Sequence, residues 1–460
     1  MTTADPALRK SFLNQPVVLY LHRHAPAPAT LRTIGILVGL LLLLLALFSR
    51  TTSFLVGALI LIGSCLVLSL PFIWRKRLTP MVAPGGNGDA RPLEITDLLE
   101  RPVVPLHMDE VYPSLQGRVV LVTGAAGSIG SELCRQLLGS ELAELIAVDI
   151  NETGLFDLVE DLRAQAHPHS ERLHPFIGDI SDLRRLSRLL AEKRPYIIFH
   201  VAAYKHVPLL EQHADLAVRT NALATHDLCR LAQEYQVAQF VYVSTDKAAC
   251  PVSVMGATKR LAEIIVQGIA SSAPGPTRFC VVRFGNVIGS RGSVVPVFTR
   301  QIAQGGPITV TDPRATRYFM TIPEACGLLM FTNALAVQGG LYLLNMGEPV
   351  RIMDLAHRMA RLHGLRLGKD IPLVFTGLRP GERLHETLIA PNEELLPTSH
   401  SEIFRVVCRE GLPTMATLME WLETLEHDVR EGDIPQLRQH LFSYVHTDTQ
   451  IEETHVDVYR

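Results

Sequence analysis

The chain has 460 residues, 47% of them hydrophobic and 19% charged, with a formal net charge of −3 and a mean hydropathy of +0.20. These values exclude a disordered or collagen-like chain, leave no basic excess for nucleic acid, and give room for about three units of roughly 150 residues. Seven scattered cysteines, never spaced C-x-x-C, point to neither a disulfide framework nor a zinc site, and no metal is expected.

Residues 1–32 form a short N-terminal segment. Residues 33–49 and 51–74 carry no charge, and only Arg50 separates them. At a helical rise of about 1.5 Å per residue they span about 26 and 36 Å, against a hydrocarbon core of about 30 Å. A transmembrane hairpin is therefore expected over 33–74. Arg9, Lys10, Arg23 and Arg32 precede it and Arg75, Lys76 and Arg77 follow it. Positive charge on both flanks places both ends in the cytoplasm, as expected of a multi-pass protein of the inner (cytoplasmic) membrane. Residues 75–117 read as a linker, opened by Pro80, Pro84, Gly85, Gly86 and Gly88, with one short element at 95–101.

The next segment changes character. Val119 to Val122 is a continuous apolar run, as a central parallel strand should be. Gly124, Gly127 and Gly130 follow, with Ser128 and Ile129 opening a helix. Glycines there let the backbone turn tightly and approach a pyrophosphate at a helix N-terminus. A second strand ends at Asp149, whose carboxylate can accept from the adenosine ribose hydroxyls and would repel a 2′-phosphate. NAD is thus favoured over NADP. Asp179 and Ile180 follow a short strand, and further apolar strands lie at 197–203 and 240–245. Strands alternate with helical stretches, which predicts a Rossmann-like, doubly wound parallel sheet over 118–285. Ligands in such sheets bind outside the carboxyl ends of the strands. Residues 286–460 are expected to form a smaller substrate lobe, with helices near 351–364 and 413–429.

Six segments occur in order: TGAAGSIGSEL, HVAAYKHVPLLE, STDKAACPVSVMGATKR, RFGNVIGSRGSVVPVF, TRYFMTIPEA and RPGERLHE. Over roughly residues 92–410 the chain resembles the membrane-anchored polysaccharide-biosynthesis proteins of the extended short-chain dehydrogenase/reductase superfamily. These are UDP-N-acetylglucosamine 4,6-dehydratases and their near relatives. Long members often carry four membrane helices and a second, degenerate nucleotide-binding region. With two apolar runs and one such core, this chain looks like a shortened form.

The resemblance implies an internal redox dehydration with tightly held NAD: oxidation at C4 of the sugar, loss of water across C5 and C6, and return of the hydride. It implies Thr245 as hydrogen-bond partner of the C4 oxygen, Asp246 as acid toward the C6 hydroxyl and Lys247 as base at C5. Both roles require neutral forms, which burial favours, whereas an Asp–Lys ion pair would pull each the other way. The superfamily's usual Tyr-x-x-x-Lys pair reads Met255 and Lys259 here. Four residues are one helical turn, so the two share a face. Lys259 can still donate to the nicotinamide ribose, but a thioether cannot take a proton. The base for the C4 hydroxyl is left open among Asp246, Lys247, a water on Thr245 and, more remotely, Tyr204. Ala202, Ala203, Lys205 and Asn221 are expected at the cofactor. His206, Asn286, Arg291, Arg317, Arg379 and Glu382 are expected at the UDP-sugar. The expected function is conversion of UDP-N-acetylglucosamine to its 4-keto-6-deoxy product, in a possible homodimer. The alternatives are a C5-inverting dehydratase, a 4-epimerase, and a catalytically silent NAD-binding membrane scaffold.

Overall fold

The computed structural model describes residues 98, 99, 101–272 and 275–446. The expected membrane hairpin, the N-terminal segment and most of the linker lie outside them. Among the described residues no helix is long and apolar enough to cross a membrane.

Nine strands build one sheet: β1 (Val119–Thr123), β2 (Glu144–Asp149), β3 (Leu173–Ile177), β4 (Ile197–His200), β5 (Gln239–Val243), β6 (Arg278–Arg283), β7 (Gly340–Leu344), β8 (Glu393–Pro397) and β9 (Ile403–Cys408). Their order is β3-β2-β1-β4-β5-β6-β7-β9-β8. The first seven run parallel, and β9 and β8 add an antiparallel edge. Successive strands step outward from β1 to β3, then restart on the other side at β4. The point where the order reverses is where such sheets open a crevice. The glycine turn at 124–127 and the loop at 201–206 leave the carboxyl ends of β1 and β4 there.

Helices cover both faces. On one face lie α1 (Ser128–Leu137), α2 (Glu152–Ala164) and, from beyond the expected domain boundary, α7 (Ile322–Leu335). On the other lie α3 (Leu183–Lys193), α4 (Ala224–Glu234) and α5 (Val254–Ser272). The 19 residues of α5 are buried on nearly every side, including Ile264, Ile265, Val266 and Ile269. A helix apolar all round must be covered on all sides. Its outer cover is a helical pair, α9 (Met415–Glu431) and α10 (Ile434–Val445), through Leu418, Leu422, Leu425, Leu437 and Leu441. The helix expected at 413–429 in the substrate lobe therefore packs on the nucleotide-binding core instead. The strands β7, β8 and β9 likewise join the main sheet although they follow residue 285.

The smaller lobe is what remains: α6 (Val294–Ala303), α8 (Ile352–Leu362) and three short strand pairs. Its own apolar cluster includes Val295, Phe298, Ile302, Leu355 and Met359. The linker's end is docked on the core. Glu324, fully buried on α7, accepts from Arg101 Nη1 at 2.7 Å and Nη2 at 3.0 Å, and from the Val104 N–H at 3.1 Å. Leu106 fills the space left by Gly327.

Candidate active site

A cleft of about 670 Å3 runs along the carboxyl ends of β1, β2, β4, β5 and β6. At one end is the glycine turn. Gly124 has φ +68°, and a Cβ there would lie 2.7 Å from the Ala202 backbone nitrogen. A Cβ on Gly130 would strike the Gly124 carbonyl. Both glycines are thus demanded by close backbone approach. Gly127 caps α1 in extended conformation, so the helix N-terminus faces the cleft through Ser128 and Ile129. Asp149 ends β2. Its Oδ2 accepts from the Ala126 N–H at 2.9 Å and its Oδ1 from the Asn151 N–H at 2.8 Å. It holds the turn in place, and each oxygen keeps a lone pair for a ribose hydroxyl. Asp179, Ile180 and Ile150 complete this end. The lining fits a dinucleotide: an anion-accepting helix N-terminus, a ribose acceptor and an apolar slot for a base.

The loop after β4, with Ala202, Ala203, Tyr204, Lys205 and His206, forms the middle of the wall. A buried polar chain fixes it. Thr123 Oγ1 accepts from the Val201 and Ala202 N–H groups at 3.1 and 3.2 Å. Its single proton therefore goes to His200 Nδ1, 2.7 Å away. His200 Nε2 then donates to Thr225 Oγ1 at 3.0 Å, and Thr225 donates to the Asn221 carbonyl at 2.8 Å. Burial, reinforced by nearby Lys259, pushes the His200 pKa down to about 3, so the ring is neutral. Asn221, expected at the cofactor, does not reach the cleft wall. It is buried in the π turn Arg219–Leu223 and brackets the Tyr204 backbone, accepting from its N–H at 2.9 Å and donating to its carbonyl at 3.0 Å. It shapes the loop from behind.

The chemistry-bearing end follows β5. Thr245 and Lys247 line the cleft, whereas Asp246 lies behind them at 1% exposure. Asp246 Oδ1 accepts from the Thr245 hydroxyl at 2.8 Å, the Lys247 N–H at 2.9 Å and Lys247 Nζ at 3.1 Å. Its Oδ2 is buried, has no partner among the described residues and faces Gly285. Of the two opposed effects expected at this pair, the ion pair prevails for the lysine. Burial pulls its pKa down, but Asp246 and Glu386 outweigh it and the net shift is upward. Glu386 comes within 3.3 Å of Lys247 Nζ. It closes the RPGERLHE segment, and its terminal position in a quoted motif is the only sequence sign of it.

Met255 and Lys259 both line the cleft from one face of α5, as their spacing requires. Lys259 Nζ donates to the Val243 carbonyl at 2.6 Å and sits 4.2 Å from the centre of the Tyr242 ring. Burial, opposed by Glu263, brings its pKa down to about 7. One turn along α5, Glu263 accepts from Ser244 Oγ at 2.6 Å and from Arg283 Nε and Nη2, both at 2.6 Å. Arg283 is fully buried and also donates to Glu393 at 2.7 and 2.9 Å. This network ties the end of β5 to α5, β6 and β8. Sequence reasoning missed it. The available signal was a charged residue closing the apolar run Phe279–Val282.

Asn286, Arg291 and His206 line the cleft beside these groups. Arg291 belongs to the cofactor end. Its N–H donates to Ser128 Oγ at 3.0 Å and its Nη1 to the Ala126 carbonyl at 2.9 Å, while its own carbonyl accepts from Lys205 Nζ at 2.9 Å. The loop thus bridges the cleft from the glycine turn to Lys205. His206 packs on Gly292, where a Cβ would lie 2.7 Å from its ring. Arg317, Arg379 and Glu382 do not reach the wall. Arg317 pairs with Glu382 at 2.9 Å and Glu386 at 3.4 Å, Glu382 also accepts from the Arg379 N–H at 3.3 Å, and Arg379 is exposed. Among the described residues no group of His, Cys, Asp and Glu side chains could hold a metal ion.

Residues 120–408 match the family described as polysaccharide biosynthesis protein. The chain belongs to that family. It is 43% identical over 315 residues to the capsular polysaccharide biosynthesis protein CapD of Staphylococcus aureus, covering 68% of this chain and 52% of CapD. It is 39% identical over 368 residues to the probable polysaccharide biosynthesis protein EpsC of Bacillus subtilis strain 168, covering 79% of this chain and 59% of EpsC. The chain thus spans little more than half the length of these relatives. The structure of Pen from Bacillus thuringiensis superposes with a TM-score of 0.59 at 30% identity, covering 65% of this chain and 89% of Pen. DesIV, a dTDP-glucose 4,6-dehydratase from Streptomyces venezuelae solved with NAD bound, gives 0.52 at 24% identity, covering 59% of this chain and 88% of DesIV. UDP-glucose 4-epimerases share the same fold. The fold is that of these dehydratase and epimerase structures.

Proposed function

We propose that the chain is an NAD-dependent 4,6-dehydratase of UDP-N-acetylglucosamine, held at the cytoplasmic face of a membrane by the apolar hairpin at 33–74. The observation that carries this reading is the run Thr245-Asp246-Lys247 beside Asn286 at the cleft, with Met255 in place of a tyrosine base. An epimerase needs proton transfer at the C4 oxygen alone. A dehydratase needs a second acid and base for C6 and C5, and this cleft has a carboxyl and an amine side by side.

NAD, when bound, supplies a reversible hydride acceptor. The N-terminus of α1, Asp149 and Lys259 are the groups that would hold it, with Arg291 beside the glycine turn as a cation for its diphosphate. The Thr245 hydroxyl donates its hydrogen bond to Asp246, so its oxygen can accept one from the C4 hydroxyl. As that hydroxyl is oxidised, its proton moves to Thr245 while Thr245 passes its own to Asp246. This relay supplies the base that Met255 cannot be. Asp246 then holds the proton needed at the departing C6 hydroxyl and returns it through Thr245, and Lys247, relieved of its strongest partner, sheds its ammonium proton to solvent before its neutral amine takes the C5 proton.

The test is incubation of the full-length protein with UDP-N-acetylglucosamine in deuterated water, followed by mass spectrometry. Loss of one water with deuterium incorporated at C5 supports the proposal. C4 inversion without C5 exchange identifies an epimerase. Bound NAD with no change in any UDP-sugar identifies a silent scaffold. The configuration at C5 of the product separates retention from inversion.

A further inference from the structure

We propose that Glu386 is a positioning residue that clamps Lys247 at the cleft wall and governs whether that lysine carries a proton. Its side chain is 6% exposed, and its Oε1 lies 3.3 Å from Lys247 Nζ and 3.4 Å from Arg317 Nε. A buried carboxylate persists only when paired, and these two cations are its partners. They are not equivalent. Arg317 is anchored independently: Nη1 donates to the carbonyls of Thr316 and Leu384 at 2.7 and 3.1 Å, and Nη2 donates to Glu382 at 2.9 Å. Glu386 is therefore pinned from the lobe side. Lys247, on a flexible four-carbon stem, is the partner it restrains.

Four groups face the Lys247 ammonium. Asp246 Oδ1 comes from its own turn, Asn286 Oδ1 from the segment after β6 at 3.5 Å, and Glu386 and Arg317 from the lobe. Asp246 and Glu386 favour the charged lysine, whereas burial and Arg317 oppose it. This inference rests on the dehydratase reading in one respect only, the meaning of that charge for turnover. Once Asp246 has taken a proton, Glu386 is, among the described residues, the one carboxylate left beside Lys247. Without Glu386, the lysine would face Arg317 with no anion between them.

The experiment is competitive acetylation of the full-length protein with acetic anhydride across a pH series, read by mass spectrometry on the peptide carrying Lys247. Removing an opposite charge at this distance lowers a lysine midpoint by about 1–3 pH units. Glu386→Gln is expected to show that shift, and Glu386→Asp a smaller one in the same direction. Equal midpoints in wild type and Glu386→Gln overturn the proposal, whether or not the protein turns over a UDP-sugar. Should Glu386→Gln fail to fold, an unshifted midpoint in Glu386→Asp overturns it equally. The pH profile of turnover is then measured on the same variants. If its ascending limb moves with the labelling midpoint, the clamp acts on the C5 base. If labelling shifts and turnover does not follow, the clamp stands and Lys247 as the C5 base fails.

Discussion

The Thr245 hydroxyl donates to Asp246 Oδ1 at 2.8 Å, so the threonine presents an acceptor to the cleft with the buried aspartate behind it. Breaking the relay should cost turnover and spare the cofactor. Thr245→Val is expected to lose roughly 10²–10⁴-fold in kcat, the range for one positioned proton-transfer group. NAD content should remain that of wild type. Thr245→Ser keeps the hydroxyl and should restore most of the rate. Asp246→Asn should lose at least as much as Thr245→Val. Near-normal rates in both Thr245→Val and Asp246→Asn would dismiss the relay.

Arg291 closes the cleft over the glycine turn from the opposite wall. Arg291→Ala should release the cofactor about ten- to a hundredfold more readily, as expected for loss of a hydrogen bond from a charged group. The check is NAD retained through gel filtration, together with its dissociation rate. Lys205→Ala, which frees the far end of the same loop, should act in the same direction to a smaller extent. Unaltered retention in both would mean the loop does not confine the dinucleotide.

Arg283 is fully buried between Glu263 and Glu393. Arg283→Met strands both carboxylates, although Arg260, at 3.0 and 3.1 Å, keeps a partial hold on them. The expected destabilisation is about 3–5 kcal/mol, the cost of breaking a buried pair from one side. Replacing Glu263, Arg283 and Glu393 together by Gln, Met and Gln should cost less than Arg283→Met alone. Urea denaturation of the variants decides this.

Lys259 has its pKa lowered to about 7, and burial is the main cause. In the unfolded chain a lysine titrates near about 10.4. Below pH 7 both states hold the proton, and the folded state carries the full penalty of a buried ammonium. Between the two values only the unfolded chain holds it, so stability rises with pH through that window. Lys259→Met removes the penalty. It should be more stable than wild type at pH 6 by a margin that narrows by pH 9. A margin independent of pH would assign Lys259 a packing role alone.

Much of the sheet could be read from the sequence because its strands are continuous apolar runs ending at recognisable turns. Gly124, Gly127, Gly130 and Asp149 occupy the places their spacing requires. The residues read less well are those whose role depends on contacts far along the chain. Nothing local distinguishes Asn221 behind the loop from Asn221 at the cofactor. Arg291 follows a strand near the expected sugar, and only the fold brings it back to Ser128, 163 positions earlier. Glu386 meets Lys247 across a separation longer than any motif. The helix Met415–Glu431 was visible as a helix, but its docking site depends on the uncovered face of α5.

That docking has a consequence for the cleft. Helix α5 carries Met255 and Lys259 toward the cofactor end while its outer side leans on Leu418, Leu422, Leu437 and Leu441. No residue of α9 or α10 touches the cleft, yet these two helices are the buttress behind a wall of the reaction chamber. Trimming them would slacken the grip on Lys259 from a distance, so this helical pair is part of the framework of the cleft and cannot be shed as an appendage.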